Sequence, residues 1–314
     1  MMKILVIDTV HNVLLQKLRD RGFTVNYQPK INTSDVIHSI AEYAGLIVRS
    51  KIKITQEIIK KGSNLRFIAR VGAGMENIDT VYAMQTGIKC FNSPEGNRDA
   101  LGEQAVGMLL SLLNNICYAN YEVKKGIWNR EKNRGIELKN QTIGIIGYGN
   151  MGSAFAEKLK GFGCNTISYD KYKYNFSDAY TKEVTKNQLF DETDILSIHV
   201  PLTNETHYMV NNAFINSFRK PIYIINTARG NIINTKELVE NLKKGKVAGA
   251  ALDVLEFEKS SFEKLHNNEE LPNDFRELTQ MQNVILTPHI AGWTIESNRK
   301  LSEIIANKII SHFP

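Results

Sequence analysis

Residues 142–170 read TIGIIGYGNMGSAFAEKLKGFGCNTISYD, and this stretch decides the fold of the chain. It opens with an apolar, β-branched run, Thr142–Ile146, which predicts a buried strand. Gly147, Gly149 and Gly152 follow at the spacing G-x-G-x-x-G. A buried strand that runs directly into such a turn is typical of a parallel α/β domain.

The second half of the stretch completes a strand–helix–strand unit. A helix is predicted over about residues 151–161, and a second strand, Asn165–Tyr169, ends at Asp170. In this arrangement the first glycine permits the tight turn, the second lets a pyrophosphate approach the backbone, and the third lets the helix pack against the strand. Unpaired N–H groups at the start of the helix bind the phosphates. The unit therefore predicts the dinucleotide site of a Rossmann domain.

Asp170 indicates which dinucleotide is bound. A carboxylate at this position accepts hydrogen bonds from the adenine ribose hydroxyls, whereas it would repel the 2′-phosphate of NADP. The prediction is therefore NAD, although two cations, Lys171 and Lys173, lie just beyond the acid.

Length and composition favour an ordinary globular protein of two domains. The chain has 314 residues, of which 42% are hydrophobic and 23% charged. Its three cysteines are far apart and form no metal or redox motif, which suits a reducing cytoplasm. The N-terminal apolar run is too short for a signal peptide, and we expect no membrane span. The net charge of +6 comes from scattered lysines, with no basic tail or aromatic-basic stripe, which favours a solvated lysine-rich surface over a nucleic-acid site. A small anionic substrate is the other inference from this charge.

The first 98 residues alternate strand and helix signals, which predicts a second parallel sheet. This region has no complete G-x-G-x-x-G, so we do not expect it to bind the dinucleotide. A long helical pattern follows over Asn97–Tyr118, where Gly102 and Gly107 suggest close packing against another element or another subunit. The last segment, Thr294–Phe313, predicts one amphipathic helix.

Three further segments follow predicted strands and carry polar side chains. They are NTARG (226–230), ALDVLEFE (251–258) and TPHIAGWT (287–294). Open α/β sheets bind ligands at the carboxyl ends of their strands, so these segments should meet at one edge. Together they supply an arginine, acidic residues and a histidine, which are candidates for substrate binding and proton transfer.

With these motifs the chain resembles the D-isomer-specific 2-hydroxyacid dehydrogenase family, and within it the phosphoglycerate dehydrogenase branch most. The resemblance covers nearly the whole chain, because the family's motifs occur in family order. These motifs are LIVRSKIKIT (46–55), RVGAGMENID (70–79), NSPEGNRDALGE (92–103), GIWNREKNRGIEL (126–138), the glycine loop, HVPLTNET (199–206), NTARG, AGAALDV and TPHIAG.

The resemblance implies roles for three catalytic residues. Arg229 would bind the substrate carboxylate and polarise the keto oxygen, work that suits a planar bidentate cation. His289 would accept the hydroxyl proton as hydride leaves the substrate carbon, and return it in the reverse direction. Glu258 would orient the imidazole and stabilise its charged form.

The resemblance also implies two larger sets of contacts. Cofactor contacts would come from Ala73, Gly147, Gly149, Asn150, Met151, Gly152, Asp170, His199, Val200, Pro201, Thr227, Ala228, Arg229, Asp253, His289, Ala291 and Gly292. Substrate contacts would come from Arg49, Ser50, Arg70, Gly72, Ala73, Gly74, Arg229 and His289. Some of Arg49, Lys51, Arg70 and Arg130 would form a cationic pocket for a substrate phosphate.

The sequence departs from the family pattern at several points. Lys259 stands where proline is usual, Glu76 where aspartate is common, and Asn150 where arginine is frequent. The polar segment Lys259–Gln282 looks longer than usual. No catalytic group is lost, but the departures leave the substrate open.

The expected architecture is α/β, with two doubly wound parallel-sheet domains around a cleft. A discontinuous flavodoxin-like substrate domain would comprise residues 1–98 and 288–314, and a Rossmann NAD-binding domain residues 99–287. The expected protein is a homodimer or homotetramer that pairs through Asn97–Tyr118 and the loop after it.

The expected reaction is NAD-dependent oxidation of a D-2-hydroxy acid, with 3-phosphoglycerate to 3-phosphooxypyruvate, the entry to serine synthesis, as the favoured case. A glyoxylate/hydroxypyruvate or D-lactate-type reductase is the alternative enzyme. An NAD(H)-sensing corepressor-like protein is the alternative from another class, which intact Arg229, Glu258 and His289 do not exclude.

Overall fold

The computed structural model describes residues 2–258 and 271–314. Residues 259–270, the first half of the long segment expected at Lys259–Gln282, lie outside the described residues, and the second half contains the helix Asn273–Gln280. Internal contacts divide the described chain into two units. The smaller unit comprises the residues up to Arg98 together with Trp293–Pro314, and the larger begins with Asp99–Glu258 and ends at Gly292.

The smaller unit is built on a five-stranded parallel sheet. Its strands are β1 (Lys3–Val6), β2 (Thr24–Tyr27), β3 (Gly45–Val48), β4 (Phe67–Arg70) and β5 (Lys89–Phe91). They lie in the order β2-β1-β3-β4-β5. This is the flavodoxin-like order, in which strands leave β1 in both directions.

Helices cover this sheet, because parallel strands need crossover connections. They are α1 (Asn12–Asp20), α2 (Thr33–Ser39), α3 (Gln56–Lys61), α4 (Thr80–Gln85) and α12 (Ile295–His312). The C-terminal helix α12 packs Leu301, Ile305 and Ile309 into the same core as Ile4 and Phe67. Burial of these apolar side chains ties the end of the chain to its beginning.

The larger unit is built on a seven-stranded parallel sheet. Its strands are β6 (Thr142–Ile146), β7 (Asn165–Tyr169), β8 (Lys182–Glu183), β9 (Ile195–Ile198), β10 (Ile222–Asn226), β11 (Val247–Leu252) and β12 (Val284–Leu286). They lie in the order β12-β11-β10-β9-β6-β7-β8. The order reverses between β6 and β9, which makes this the topological switch point of a Rossmann sheet. The two sheets confirm the fold class expected from the sequence.

Helices also cover the larger sheet. They are α5 (Arg98–Leu113), α6 (Ile116–Lys124), α7 (Asn150–Leu159), α8 (Lys186–Glu192), α9 (Asn212–Asn216), α10 (Thr235–Lys243) and α11 (Asn273–Gln280). Leu109 of α5 and Phe155 of α7 share one core with Ile143, Ile145 and the rest of one sheet face. None of the helices in the described part of the chain combines the length and the hydropathy that a membrane span requires.

The single helix expected over Asn97–Tyr118 is wrong, because the structure has two helices there. Helix α5 ends at Leu113 and α6 begins at Ile116. Asn115 lies between them with φ +52°, in the left-handed region that asparagine tolerates better than most residues. Its side chain donates to the carbonyl of Arg134 at 3.4 Å. A change of chain direction without glycine or proline left no clear signal in the sequence.

The division into units falls a few residues later than the expected boundary at 288. Residues 288–292, which include His289, group with the larger unit. The reason is the buried carboxylate of Asp253, which accepts hydrogen bonds from the backbone N–H groups of Ile290 and Ala291.

Candidate active site

The glycine loop forms the centre of the carboxyl edge of the larger sheet. Gly147 has φ +90°, and a Cβ there would lie 2.6 Å from the carbonyl oxygen of His199. A Cβ at Gly152 would overlap the carbonyl oxygen of Gly147, so α7 can approach β6 only with glycine there. By contrast, a Cβ at Gly149 would meet no atom within 4 Å. The open space beside Gly149 and the amino end of α7 fit the pyrophosphate of a dinucleotide.

Asp170 organises the turn after β7. Its Oδ2 accepts the N–H of Tyr148 in the glycine loop at 2.9 Å. Its Oδ1 accepts the N–H groups of Tyr172 and Lys173 at 2.9 and 3.1 Å. The carboxylate is partly exposed, and a carboxylate has about four lone-pair sites, so it can also accept from ribose hydroxyls.

Tyr148 is a residue of this site that the sequence reasoning missed. Its ring is 2% exposed and stacks on Phe176, with 5.1 Å between the ring centroids. Its hydroxyl donates to Asp178 at 2.8 Å, and burial together with this bond raises its pKa above the ordinary range. The buried side chain therefore fixes the glycine loop through its contacts with Phe176 and Asp178. Its place between two motif glycines was the available signal.

His199 follows β9 and stays neutral. Burial lowers its pKa to about 3, because the imidazolium would lose its hydration. Its Nε2 lies 2.8 Å from the hydroxyl of Ser197. Its Nδ1 and the Thr227 hydroxyl are buried without a hydrogen-bond partner in the described structure. Two such polar atoms near strand ends of the same sheet are compatible with a polar cofactor that satisfies them.

The NTARG segment turns sharply after β10. The Asn226 amide holds the turn, since it donates to the carbonyl of Arg229 at 2.9 Å and accepts the N–H of Ala228 at 3.0 Å. A Cβ at Gly230 would overlap the backbone of Leu255. The close backbone approach therefore brings the Arg229 turn against the segment that ends at Glu258.

Asp253 fixes the TPHIAG segment. Its carboxylate is 1% exposed and accepts the Thr287 hydroxyl at 2.5 Å, the Ile290 N–H at 2.9 Å and the Ala291 N–H at 2.8 Å. Its own carbonyl accepts the N–H of His289 at 2.8 Å. The carboxylate expected to contact the cofactor is thus the one that shapes the histidine loop.

The structure brings the side chains of His289 and Glu258 into contact. Nδ1 of His289 lies 2.7 Å from Oε2 of Glu258, and both side chains are partly buried. His289 has φ +55°, a backbone conformation that is uncommon outside glycine and that concentrates at functional sites. The other Glu258 oxygen accepts the N–H of Leu255, so the carboxylate is held on both sides.

The expected substrate residues of the smaller unit are held by a second buried aspartate. Oδ2 of Asp8 accepts the N–H groups of Arg49, Ser50 and Lys51 at 2.8, 3.0 and 3.1 Å. These three N–H groups therefore donate to Asp8. Any ligand contact from this loop would have to come from its side chains. The Arg49 guanidinium lies 4.1 Å from the ring centroid of Trp293.

Two of the cations expected in a phosphate pocket serve the smaller unit itself. The Arg70 side chain donates to the carbonyls of Arg49, at 2.9 Å, and Gly74. Lys51 donates to the carbonyls of Pro29 and Ile31 at 2.9 and 2.6 Å. Their side chains satisfy backbone carbonyls, which sequence order alone does not reveal. The same loop region includes Gly72, whose carbonyl accepts the N–H of Ser93, and Ala73, whose carbonyl accepts the Asn92 amide.

The structure therefore brings most expected site residues to the strand ends of the two sheets. In the larger unit, Gly147, Gly149, Asn150, Met151 and Gly152 follow β6, Asp170 follows β7, and His199, Val200 and Pro201 follow β9. Thr227, Ala228 and Arg229 follow β10, Asp253 follows β11, and His289, Ala291 and Gly292 follow β12. In the smaller unit, Arg49 and Ser50 follow β3, Arg70 ends β4, and Gly72, Ala73 and Gly74 come after it.

Comparison with known proteins defines the class to which this site belongs. Residues 106–291 match the model of the D-isomer specific 2-hydroxyacid dehydrogenase, NAD binding domain. The cofactor of this class is NAD, in agreement with the glycine loop and Asp170. The chain belongs to the D-isomer specific 2-hydroxyacid dehydrogenase family.

Individual relatives carry several different substrate names. The chain is 36% identical over 279 residues to the hydroxypyruvate reductase of Thermotoga maritima, covering 89% of this chain and 88% of that protein. It is 33% identical over 312 residues to the D-3-phosphoglycerate dehydrogenase of Archaeoglobus fulgidus, covering 99% of this chain but only 57% of that protein.

A solved structure also matches the whole fold. The D-lactate dehydrogenase of Aquifex aeolicus, complexed with NAD and lactic acid, superposes with a TM-score of 0.82 at 28% identity. The match covers 99% of this chain and 95% of that one. The relatives agree on the family and differ in substrate.

A matched pair of alanine substitutions tests the two glycine functions separately. Gly149→Ala should leave the free energy of unfolding within about 0.5 kcal/mol of the wild type, because its Cβ enters open space. It should nevertheless weaken NADH binding, because the methyl group stands where the pyrophosphate approaches. Gly152→Ala should lower the free energy of unfolding by about 1–3 kcal/mol, because its Cβ overlaps Gly147. Urea unfolding and NADH fluorescence titration measure the two effects, and equal behaviour of the two variants would contradict this account.

Proposed function

We propose that the chain catalyses the NAD-dependent interconversion of a D-2-hydroxy acid and its 2-keto acid. The observation that carries the proposal is the 2.7 Å contact between Nδ1 of His289 and Glu258, at a loop held by Asp253. Because Nδ1 faces the carboxylate, Nε2 is the nitrogen that exchanges a proton with the substrate. Glu258 orients the ring and balances the charge of the imidazolium.

Arg229 completes the proposed chemistry. Its guanidinium binds the substrate carboxylate and polarises the carbonyl oxygen, which gains negative charge as the keto acid is reduced. When bound, NAD supplies the hydride acceptor, and NADH the donor in reverse. The closeness of the Arg229 turn to Leu255 supports a common site, since Glu258 lies in the same segment as Leu255.

The favoured substrate is 3-phosphoglycerate, oxidised to 3-phosphooxypyruvate, in a protein of amino-acid biosynthesis. The resemblance of nearly the whole chain to D-3-phosphoglycerate dehydrogenases supports this choice. Arg49 supports it as well, because its backbone is fixed by Asp8 and its guanidinium lies against Trp293. Arg70 and Lys51 donate to backbone carbonyls of their own unit. Arg49 in the smaller unit and Arg130 in the larger unit are proposed as separate phosphate contacts, and each is tested by itself. A hydroxypyruvate reductase is the second candidate, because that relative matches this chain over most of its own length.

Turnover with NADH and a panel of 2-keto acids tests the general proposal. Phosphohydroxypyruvate, hydroxypyruvate, glyoxylate and pyruvate should be included, and at least one should be reduced. Binding of NADH without turnover of any of them would favour the corepressor-like alternative.

Replacement of the histidine tests its proposed role. His289→Ala should lower kcat by about 10²–10⁴-fold, because proton transfer to the developing alkoxide is lost. NADH binding, measured by fluorescence, should remain. Glu258→Gln should lower kcat less, since the ring keeps a hydrogen-bond partner. His38→Ala, which removes an exposed histidine of the smaller unit, is the control. Near-normal turnover of His289→Ala would exclude the assignment.

The two proposed phosphate contacts, Arg49 and Arg130, make a separate prediction. Arg49→Ala and Arg130→Ala should each raise KM for phosphohydroxypyruvate more than KM for hydroxypyruvate, because only the former gains charge-assisted bonds from the lost cation. The difference should shrink as salt is added, since screening shortens the reach of charge to about 8 Å at physiological ionic strength. Arg66→Ala is a matched control, because Arg66 also lies over an aromatic ring of the smaller unit, at 4.9 Å from Phe313. Equal effects on both substrates would leave only the general 2-hydroxyacid activity.

A homodimer is the proposed assembly, paired through helix α6 and the loop after it. The support is a set of exposed apolar side chains in one region of the larger unit: Ile116, Tyr121, Val123, Ile127 and Trp128. Trp128 is 79% exposed, which is unusual for a large apolar ring unless a partner covers it.

Light scattering at micromolar concentration tests this assembly. The wild type should have at least the mass of a dimer, and Trp128→Glu should shift it toward the monomer because the interface would bury a charge. Met84→Glu is the control, since Met84 is 75% exposed in the smaller unit, outside the proposed interface. A monomeric wild type would refute the proposal.

A further inference from the structure

The turn after β7 presents two cations beside the proposed ribose site. Lys171 and Lys173 follow Asp170 directly, and the Asp170 carboxylate closes this turn by accepting the N–H groups of Tyr172 and Lys173. Cations at this position are what a protein needs to bind the 2′-phosphate of NADP. The family and Asp170 nevertheless indicate NAD. The structure suggests why the cations do not oppose that preference.

Both ammonium groups are engaged by neighbouring groups. Nζ of Lys173 donates to the carbonyl of Tyr148 at 3.1 Å and lies over the rings of Tyr148 and Phe176. Nζ of Lys171 donates to Oε2 of Glu205 at 2.7 Å. The hydroxyl of Tyr172 donates to the same Glu205 oxygen at 2.5 Å. One carboxylate thus holds two side chains of the turn.

Glu205 lies in a loop that is ordered by its own hydrogen bonds. It lies in the loop after β9, where the N–H of Thr203 donates to the Thr206 hydroxyl at 2.8 Å. That hydroxyl donates in turn to the carbonyl of Pro201 at 2.6 Å. The N–H of His207 donates to the carbonyl of Thr203 at 2.9 Å. Glu205 therefore has a defined position from which to bind Lys171.

The charges balance only while Glu205 is ionised. Asp170 and Glu205 carry two negative charges, and Lys171 and Lys173 two positive charges. The contact with Lys171 lowers the pKa of Glu205, so it is ionised at neutral pH. An exposed ion pair of this kind contributes little to folding stability. The ion pair does change the local electrostatic potential, and the binding of a 2′-phosphate depends on the net charge around it.

We propose that Glu205 is a second cofactor-selecting residue: it binds and neutralises Lys171, and so keeps the turn after Asp170 from accepting the 2′-phosphate of NADP. Asp170 selects NAD by binding the ribose hydroxyls. Glu205 selects NAD by holding Lys171 in an ion pair, so that this cation does not bind a 2′-phosphate. The inference depends on the proposed role of Asp170 and is independent of the substrate.

Direct binding of NADH and NADPH, measured by fluorescence titration, tests the inference without turnover. Glu205→Gln keeps the size of the side chain and removes its charge. It should lower the ratio of the NADPH Kd to the NADH Kd by about three- to tenfold, the effect of one surface charge at close range. Isothermal titration with adenosine 2′,5′-bisphosphate and with AMP should give the same change. The gain should decrease with added salt.

Three variants serve as controls. Glu277→Gln breaks an exposed ion pair with Lys243 in the same unit, and it should leave the ratio unchanged. The double variant Glu205→Gln with Lys171→Met should return the ratio toward the wild-type value. The first change leaves Lys171 without its carboxylate, and the second removes that cation. Glu205→Asp keeps the charge and should stay close to the wild type.

Asp170→Ala separates failure of the inference from failure of its basis. If Asp170→Ala lowers the ratio and Glu205→Gln does not, Glu205 plays no part in selection and the inference is overturned. A ratio that responds to neither variant would overturn the ribose role of Asp170 together with the inference. A change in Glu277→Gln equal to that in Glu205→Gln, or a gain that persists in the double variant, would also overturn it.

Discussion

The carboxyl ends of seven parallel strands lie at one edge of the larger sheet, and the site depends on this constraint. Parallel strands are joined by crossovers, so every loop that leaves a carboxyl end emerges on the same side. The glycine loop, the NTARG turn and the TPHIAG segment come from distant parts of the sequence. They meet because β6, β10 and β12 belong to one sheet, and the reversal of strand order at β6 opens space for a dinucleotide.

Aspartates at strand ends convert these loops into fixed structures. Asp8 binds three consecutive N–H groups after β3, Asp170 ties the glycine loop to the turn after β7, and Asp253 holds the loop that carries His289. A hydrogen bond to a charged group contributes about 1.5–3 kcal/mol, more than a neutral one. Such bonds can hold the uncommon φ of His289, so the backbone of the histidine loop is fixed by the protein itself.

Much of the fold could be predicted, because local signals there agree with the tertiary structure. The glycine spacing predicted the turn, the helix and the close packing of α7 on β6, since no other residue fits at Gly152. The break at Asn115 was not predicted, because an asparagine in the left-handed region looks like any polar helix residue in the sequence. Tyr148 was missed for a related reason, as only the fold brings Phe176 and Asp178 to it.

The sequence by itself determined the strands of both sheets other than the short β8, the dinucleotide loop, the expectation of NAD from Asp170 and the choice of Arg229, Glu258 and His289 as candidates. These features depend on residue types at short spacings, where backbone geometry leaves few choices. The tertiary structure decided which contacts each charged side chain makes. Arg70 and Lys51 donate to backbone carbonyls, Asp253 binds the histidine loop, and Glu205 binds Lys171. Partners that lie tens of residues apart in the chain are chosen by packing of the sheet, and one sequence carries no local signal for that choice.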